Sequence, residues 1–229
     1  MASIEGKLQQ VRQRIALACA AAQRPVQSVT LLAVSKTFGA AAIREAQAAG
    51  QRAFGENYVQ EALGKIAALA DLKPSIEWHL IGPLQSNKTR EVASSFDWVH
   101  SLDRLKVAER LSAQRPAGLP PMQVCLQVNV SGEGSKSGVA PAELPALARA
   151  VAALPNLRLR GLMSIPEPTA DVTAQRVPHR LLRQLFEALR GEGLALDTLS
   201  MGMSADLETA IAEGASIVRV GTAIFGDRG

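Results

Sequence analysis

The sequence predicts a closed (β/α)8 TIM barrel with one extra helix at its amino end. Eight short apolar or β-branched runs alternate with helical segments. The spacing between successive runs leaves room for the crossover that parallel strands need. The runs at both ends of the series read as buried, the first as a strand covered on both faces. A doubly wound open sheet would leave edges and usually has fewer strands, so the closed barrel is preferred.

In chain order, Ile4, Leu8, Val11, Ile15 and Ala18 recur at helical spacing and define an amphipathic helix that ends before Arg24-Pro25. The run VTLLAVS at 29–35 is the first strand, followed by a helix over 40–49 that Gly50 stops. A strand at 52–57 precedes a helix at 58–70, a strand at 78–82 precedes a helix at 87–94, and a strand at 97–101 precedes a helix at 103–114. MQVCLQVNV at 122–130 is the clearest strand, with a helix at 141–153 before Pro155. The strand at 157–165 leads to a helix across 176–190, stopped by Gly191 and Gly193. A strand at 197–204, a helix at 205–212 and a last strand at 216–226 complete the series. No Ser/Gly-rich linker divides it, so residues 1–229 are expected to form one domain.

Composition narrows the function. Lys plus Arg number 25 against 21 Asp plus Glu, a balance of +4 with no run of four basic residues, and aromatics are only 3%. That argues for a local anion site and against a nucleic-acid footprint or stacking track. No apolar stretch approaches a membrane span, and MASIEGKLQQ lacks the apolar core of a secretory signal. A cytoplasmic protein is expected. Cys19, in an Ala-rich helix, and Cys125, in an apolar strand, read as small buried residues and not as a redox pair.

Chemistry in such a fold belongs at the carboxyl ends of the strands. Lys36 stands there after the first strand. It is either a strand-ending lysine reaching solvent by its apolar stem or an amine held in a cleft, able to attack a carbonyl. Ser200, Gly202 and Ser204 follow the seventh strand, and Gly221-Thr222 follows the core of the eighth, the usual phosphate position of a barrel. Each cluster alone is equally well a turn or helix cap. Arg219, inside the eighth strand, needs a partner because its charge is costly to bury alone. A structural salt bridge and an anionic or aromatic ligand are both open. Asn57 ends the second strand, where it is a helix cap, a cofactor contact, or both. His79 and His100, on the third and fourth strands, read as structural histidines, and His179 as part of a first helical turn. GEGSKSG at 132–138 lacks the GxxxxGK[ST] spacing and reads as a loop above the mouth.

These pieces together resemble the pyridoxal phosphate homeostasis proteins, a family similar to the barrel domain of alanine racemase. The resemblance lies in LLAVSK at 31–36, FGENYVQE at 54–61, WHLIGPLQSNK at 78–88, QVNVSGEGSKSG at 127–138, GLMSIP at 161–166, LSMGMSADLETAI at 199–211 and RVGTAIFG at 219–226. It implies a PLP fold type III-like barrel holding pyridoxal 5′-phosphate (PLP) as a Schiff base on Lys36. It also implies phosphate contacts from Ser200, Gly221 and Thr222, Arg219 at the pyridine nitrogen, and no established catalytic turnover. An arginine there keeps the ring nitrogen unprotonated and weakens the ring as an electron sink. Racemases add an acid/base from a further domain, whereas Tyr58, the sole tyrosine, begins a helix, so racemization is not expected. A racemase or decarboxylase using the same lysine is the enzyme alternative. A PLP-responsive interaction protein is the third reading. Expected partners are PLP and apo forms of PLP-dependent enzymes, with neither nucleic acid nor membrane, in a monomer or weak homodimer.

Overall fold

A computed structural model describes residues 3–132 and 137–226. The opening amphipathic segment forms α1 (Ile4–Ala21), whose first turn is capped by the Ser3 hydroxyl accepting from the Gly6 N–H. Eight strands follow: β1 (Thr30–Val34), β2 (Ala53–Glu56), β3 (Glu77–Leu80), β4 (Trp98–Leu102), β5 (Met122–Gln127), β6 (Leu157–Met163), β7 (Thr198–Ser200) and β8 (Ile217–Val220). Between them run α2 (Ala40–Ala48), α3 (Val59–Ala68), α4 (Thr89–Ser95), α5 (Leu105–Gln114), α6 (Leu144–Ala152), α7 (Val172–Gly191) and α8 (Leu207–Ala212), and a single turn, α9 (Thr222–Phe225), follows β8. Each strand pairs in parallel with its sequence neighbours, and β8 closes on β1 with Leu32 opposite Arg219 and Ala33 opposite Val220. The closed (β/α)8 barrel with a leading helix is the architecture the alternation predicts.

Strand parity sorts the side chains into two layers. Leu32, Val34, Ala53, Ile81, Trp98, Cys125, Met163 and Ile217 cluster along the axis. The alternate positions, Ala33, Phe54, Leu80 and Val99 among them, join the larger layer between sheet and helices, against which α1 lays Leu8, Val11 and Ile15. Two-sided cover explains why the strands read as continuous apolar runs. Among the described residues no helix is long and apolar enough to cross a membrane.

Several boundaries differ from the expectation for identifiable reasons. The last strand stops at Val220, and TAIF, apolar enough to read as strand, turns into α9 with Ile224 and Phe225 N–H both bonded to the Gly221 carbonyl. The seventh strand is short because Gly202, at φ 91°, turns the chain, and a side chain there would lie 2.5 Å from Ala210 Cβ. The helix expected at 176 starts at Val172, because Asp171 caps it by accepting from the Thr173 N–H, and Pro178 lies within it. His179 is therefore beyond the first turn and fully buried. The fifth strand ends at Gln127, and Val128 and Val139 then form a bridge that pins the base of the following loop. Residues 133–136 of that loop, expected above the mouth, lie outside the described residues.

Candidate cofactor site at the barrel mouth

Lys36 sits partly buried in the turn after β1, and the chain on both sides of it is clamped. The Ser35 hydroxyl donates to Glu56 Oε1 at 2.6 Å, and the Ser35 carbonyl accepts from Lys65 Nζ at 2.8 Å. Beyond Lys36, the Thr37 N–H donates to Glu61 Oε1 at 2.6 Å. Lys65 joins the two carboxylates, donating to both Glu56 oxygens and pairing with Glu61, its neighbour one turn earlier on α3. Burial pushes the Glu56 carboxyl up, against the hydrogen bonds from Lys65 and Ser35. Thr37 lies at φ 70°, a left-handed backbone that a β-branched residue adopts only when its surroundings hold it there. The clamp supplies that hold.

Across the β1–β8 seam, a side chain on Gly221 would lie 3.1 Å from the Val34 carbonyl oxygen. A side chain there would push on the chain leading to Lys36 by a few tenths of an ångström, so the glycine lets the two chains pass close without a shift. Phe38 stacks on Phe225, ring centroids 5.2 Å apart, and ties the loop after β1 to α9. Gly221 and Thr222 begin that helical turn, whose first amides have no acceptor inside it. The segment after β7 is held by Asp206, which accepts from the Met203 N–H at 2.6 Å through one oxygen and meets His179 Nε2 at 2.9 Å through the other.

Arg219 projects inward from β8 and is 4% exposed. Its Nη1 donates to the Ser200 carbonyl at 2.6 Å and hydroxyl at 2.9 Å, and its Nη2 to the Ser164 carbonyl at 2.7 Å. Burial lowers its pKa to about 10, with Asp206 opposing, so it stays a cation at neutral pH. No ion pair to Arg219 occurs among the described residues, which removes the salt-bridge alternative and leaves a charge held by neutral oxygens. The Ser200 hydroxyl, fully buried, lies between Arg219 and His100, so it backs the arginine; Ser204, partly exposed, is the hydroxyl of that segment nearer the surface.

Asn57 follows β2 at the same rim. Its Oδ1 is buried with no hydrogen-bond partner among the described residues. The helix-cap role falls away, because Tyr58 occupies the cap of α3 and no side chain bonds there. Gly82 holds the Asn57 backbone: a side chain at 82 would lie 2.1 Å from the Asn57 carbonyl oxygen. Lys36, Asn57, Arg219, Gly221 and Thr222 thus belong to the carboxyl ends of three strands that lie together in the barrel, with Arg219 directed into its interior.

The family described as alanine racemase, N-terminal domain, matches residues 7–229. A protein of Pseudomonas aeruginosa named pyridoxal phosphate homeostasis protein is 64% identical over 228 residues, covering 100% of this chain and 97% of that protein. The chain belongs to the pyridoxal phosphate homeostasis protein family. Its Escherichia coli relative is 54% identical over 229 residues, covering 100% of this chain and 98% of that protein. The solved structure of PipY from Synechococcus elongatus with PLP bound superposes with a TM-score of 0.87 at 42% identity, over 98% of this chain and 100% of that one.

Within this family member, two groupings at the mouth escaped the reading of the sequence. Glu56, Glu61 and Lys65 had a partial signal, the Glu61–Lys65 spacing of four, but nothing local tells that Glu56 at a strand end faces the same helix. The pair His179–Asp206 joins residues 27 apart and has no local signal at all.

Proposed function

We propose that the chain holds PLP at the carboxyl-end mouth of its barrel and serves the homeostasis of that cofactor. The naming of the relatives and the PLP in the PipY structure support this reading. When bound, PLP supplies an aldehyde open to a lysine amine and an electron-withdrawing ring. Lys36 is the amine in this reading. Gly221 and Thr222, with the segment 202–204, offer donors to the phosphate; in so short a helical turn the amide N–H groups do the work, not a macrodipole. The unpartnered Asn57 Oδ1 fits a ligand that brings a donor.

The observation that carries the reading is Arg219, a buried cation whose hydrogen-bond partners are carbonyl and hydroxyl oxygens. A guanidinium only donates, so it suits a ring nitrogen that keeps its lone pair and disfavours the protonated ring that carbanion chemistry uses. Retention of the cofactor without its activation is the expected consequence, with PLP passing to apo forms of PLP-dependent enzymes.

Calorimetry on the purified protein with PLP and with pyridoxal, followed by mixing of the loaded protein with an apoenzyme, tests this. PLP is expected to bind one per chain and at least about tenfold more tightly than pyridoxal, because charged hydrogen bonds contribute roughly 1.5–3 kcal/mol each. The apoenzyme is expected to gain activity. Equal affinities would contradict a phosphate pocket, and Lys36-dependent turnover of an amino acid would favour the racemase or decarboxylase alternative.

A further inference from the structure

A file of polar side chains runs along the barrel axis behind Arg219. Arg219 Nη1 donates to Ser200 Oγ at 2.9 Å, Ser200 Oγ meets His100 Nδ1 at 2.8 Å, and His100 Nε2 meets His79 Nδ1 at 2.9 Å. His79 Nε2 then lies 3.7 Å from the carboxylate of Glu77, the first residue of β3. That last distance is too long for a hydrogen bond, so the link is an electrostatic contact. The Glu77 side chain is 47% exposed at the rim opposite the mouth and also accepts from Trp98 Nε1. Ser200, His100 and His79 are each 2% exposed or less. The lower end is held by the Trp98 ring, stacked on His79 at 5.3 Å, and by Arg160 above Trp98 at 4.9 Å.

The two ends set the direction of every bond between them. A guanidinium has only donors and an ionised carboxylate only acceptors. If Ser200 accepts from Arg219 and donates to His100 Nδ1, then His100 donates from Nε2 to His79 Nδ1, and His79 turns an Nε2–H toward Glu77. Each of the three hydrogen bonds then has one donor and one acceptor, and the His79 Nε2–H faces the carboxylate across the electrostatic contact. The reverse assignment gives the Ser200 oxygen two donors, leaves its own proton without an acceptor and aims the His79 Nε2 lone pair at a carboxylate. Burial, reinforced by His79 and Arg219, holds His100 well below the ordinary histidine range, so its ring is neutral.

We propose that Glu77, His79, His100 and Ser200 are positioning residues for Arg219, joined in a one-directional file with both rings as neutral Nε2–H tautomers, which fixes the guanidinium plane presented to the mouth. The polarity of the file stands on its own; its effect on PLP rests on the function proposed above.

The full chain has only three histidines, so 15N-histidine labelling with long-range 1H–15N spectra at neutral pH reads each ring. In the unloaded wild-type protein His79 and His100 are expected to carry the proton on Nε2. Ser200→Ala is expected to turn His100 into a mixture of tautomers, and Glu77→Gln to do so for His79. In both variants PLP release is expected to quicken about threefold or more, an effect the size of one weak polar link. A mere packing role for Glu77, on the far rim, would leave the tautomers and the release rate unmoved. An Nδ1–H or a charged ring at either position in the wild type overturns the proposal, whether or not the variants fold; so do spectra and release rates unchanged in both variants. Failure of the unloaded protein to take up PLP would overturn the proposed function while the tautomers still decide the file.

Discussion

Asp206 uses both of its oxygens, one for the Met203 N–H and one for His179, so a single carboxylate fixes the segment between β7 and α8. Burial acts to raise its pKa, but the hydrogen bonds from His179 and Met203 outweigh it and hold the carboxyl below the ordinary Asp value. A carboxyl depressed in the folded state contributes stability that is present above its unfolded pKa of about 3.9 and lost as pH falls through the folded value. Asp206→Asn is therefore expected to lower the urea midpoint at pH 7 by the equivalent of about 1–3 kcal/mol, with the gap to wild type closing as pH drops below about 4. A gap that stays constant across that range would contradict the ionised role. At this scale the sequence was most legible where chemistry follows strand ends. Lys36, Asn57, Gly221 and Thr222 could be placed by counting strands, and Arg219 stood out as a charge in an apolar run. The partner of Asp206 could not be seen, because His179 reads locally as a residue beside Val177-Pro178.

The turn bearing Lys36 is held by a helix behind it, since α3 delivers Glu61 and Lys65 to residues 37 and 35 while β2 ends on Glu56. Lys65 is the one cation bonded to Glu56 in the contacts seen among the described residues, and Glu56 is 0% exposed. Replacing the lysine by an apolar residue of similar length leaves a buried carboxylate unpaired. Lys65→Met is expected to cost about 3–5 kcal/mol in denaturant unfolding, and Glu56→Gln combined with it to recover part of that. A loss under about 1 kcal/mol would show that the cluster does not bear on the fold. The eight strands, the seven helices between them and the leading helix were legible from periodicity and breakers, but α9 and the element ends were decided by contacts that no window of sequence contains. TAIF reads as strand and folds as α9 because the Gly221 carbonyl takes two amides and Phe225 finds Phe38. The apolar periodicity places a helix across 176–190, whereas α7 starts at Val172, where Asp171 caps it.

At the scale of the molecule, closure of β8 on β1 is what makes a site from residues 185 positions apart, Lys36 and Gly221. Eight alternating units imply that closure, so the barrel and the location of its mouth were legible. The polar file from Glu77 to Arg219 was not, because it uses inward positions of four strands whose mutual register only the closed sheet defines. The central claim is that PLP sits in this mouth on Lys36, and mapping the attachment tests it most directly. Borohydride reduction of the PLP-loaded full-length protein, proteolysis and peptide mass analysis are expected to place one pyridoxyl group per chain on Lys36. A group found consistently on a different lysine, with Lys36 unmodified, would contradict the account.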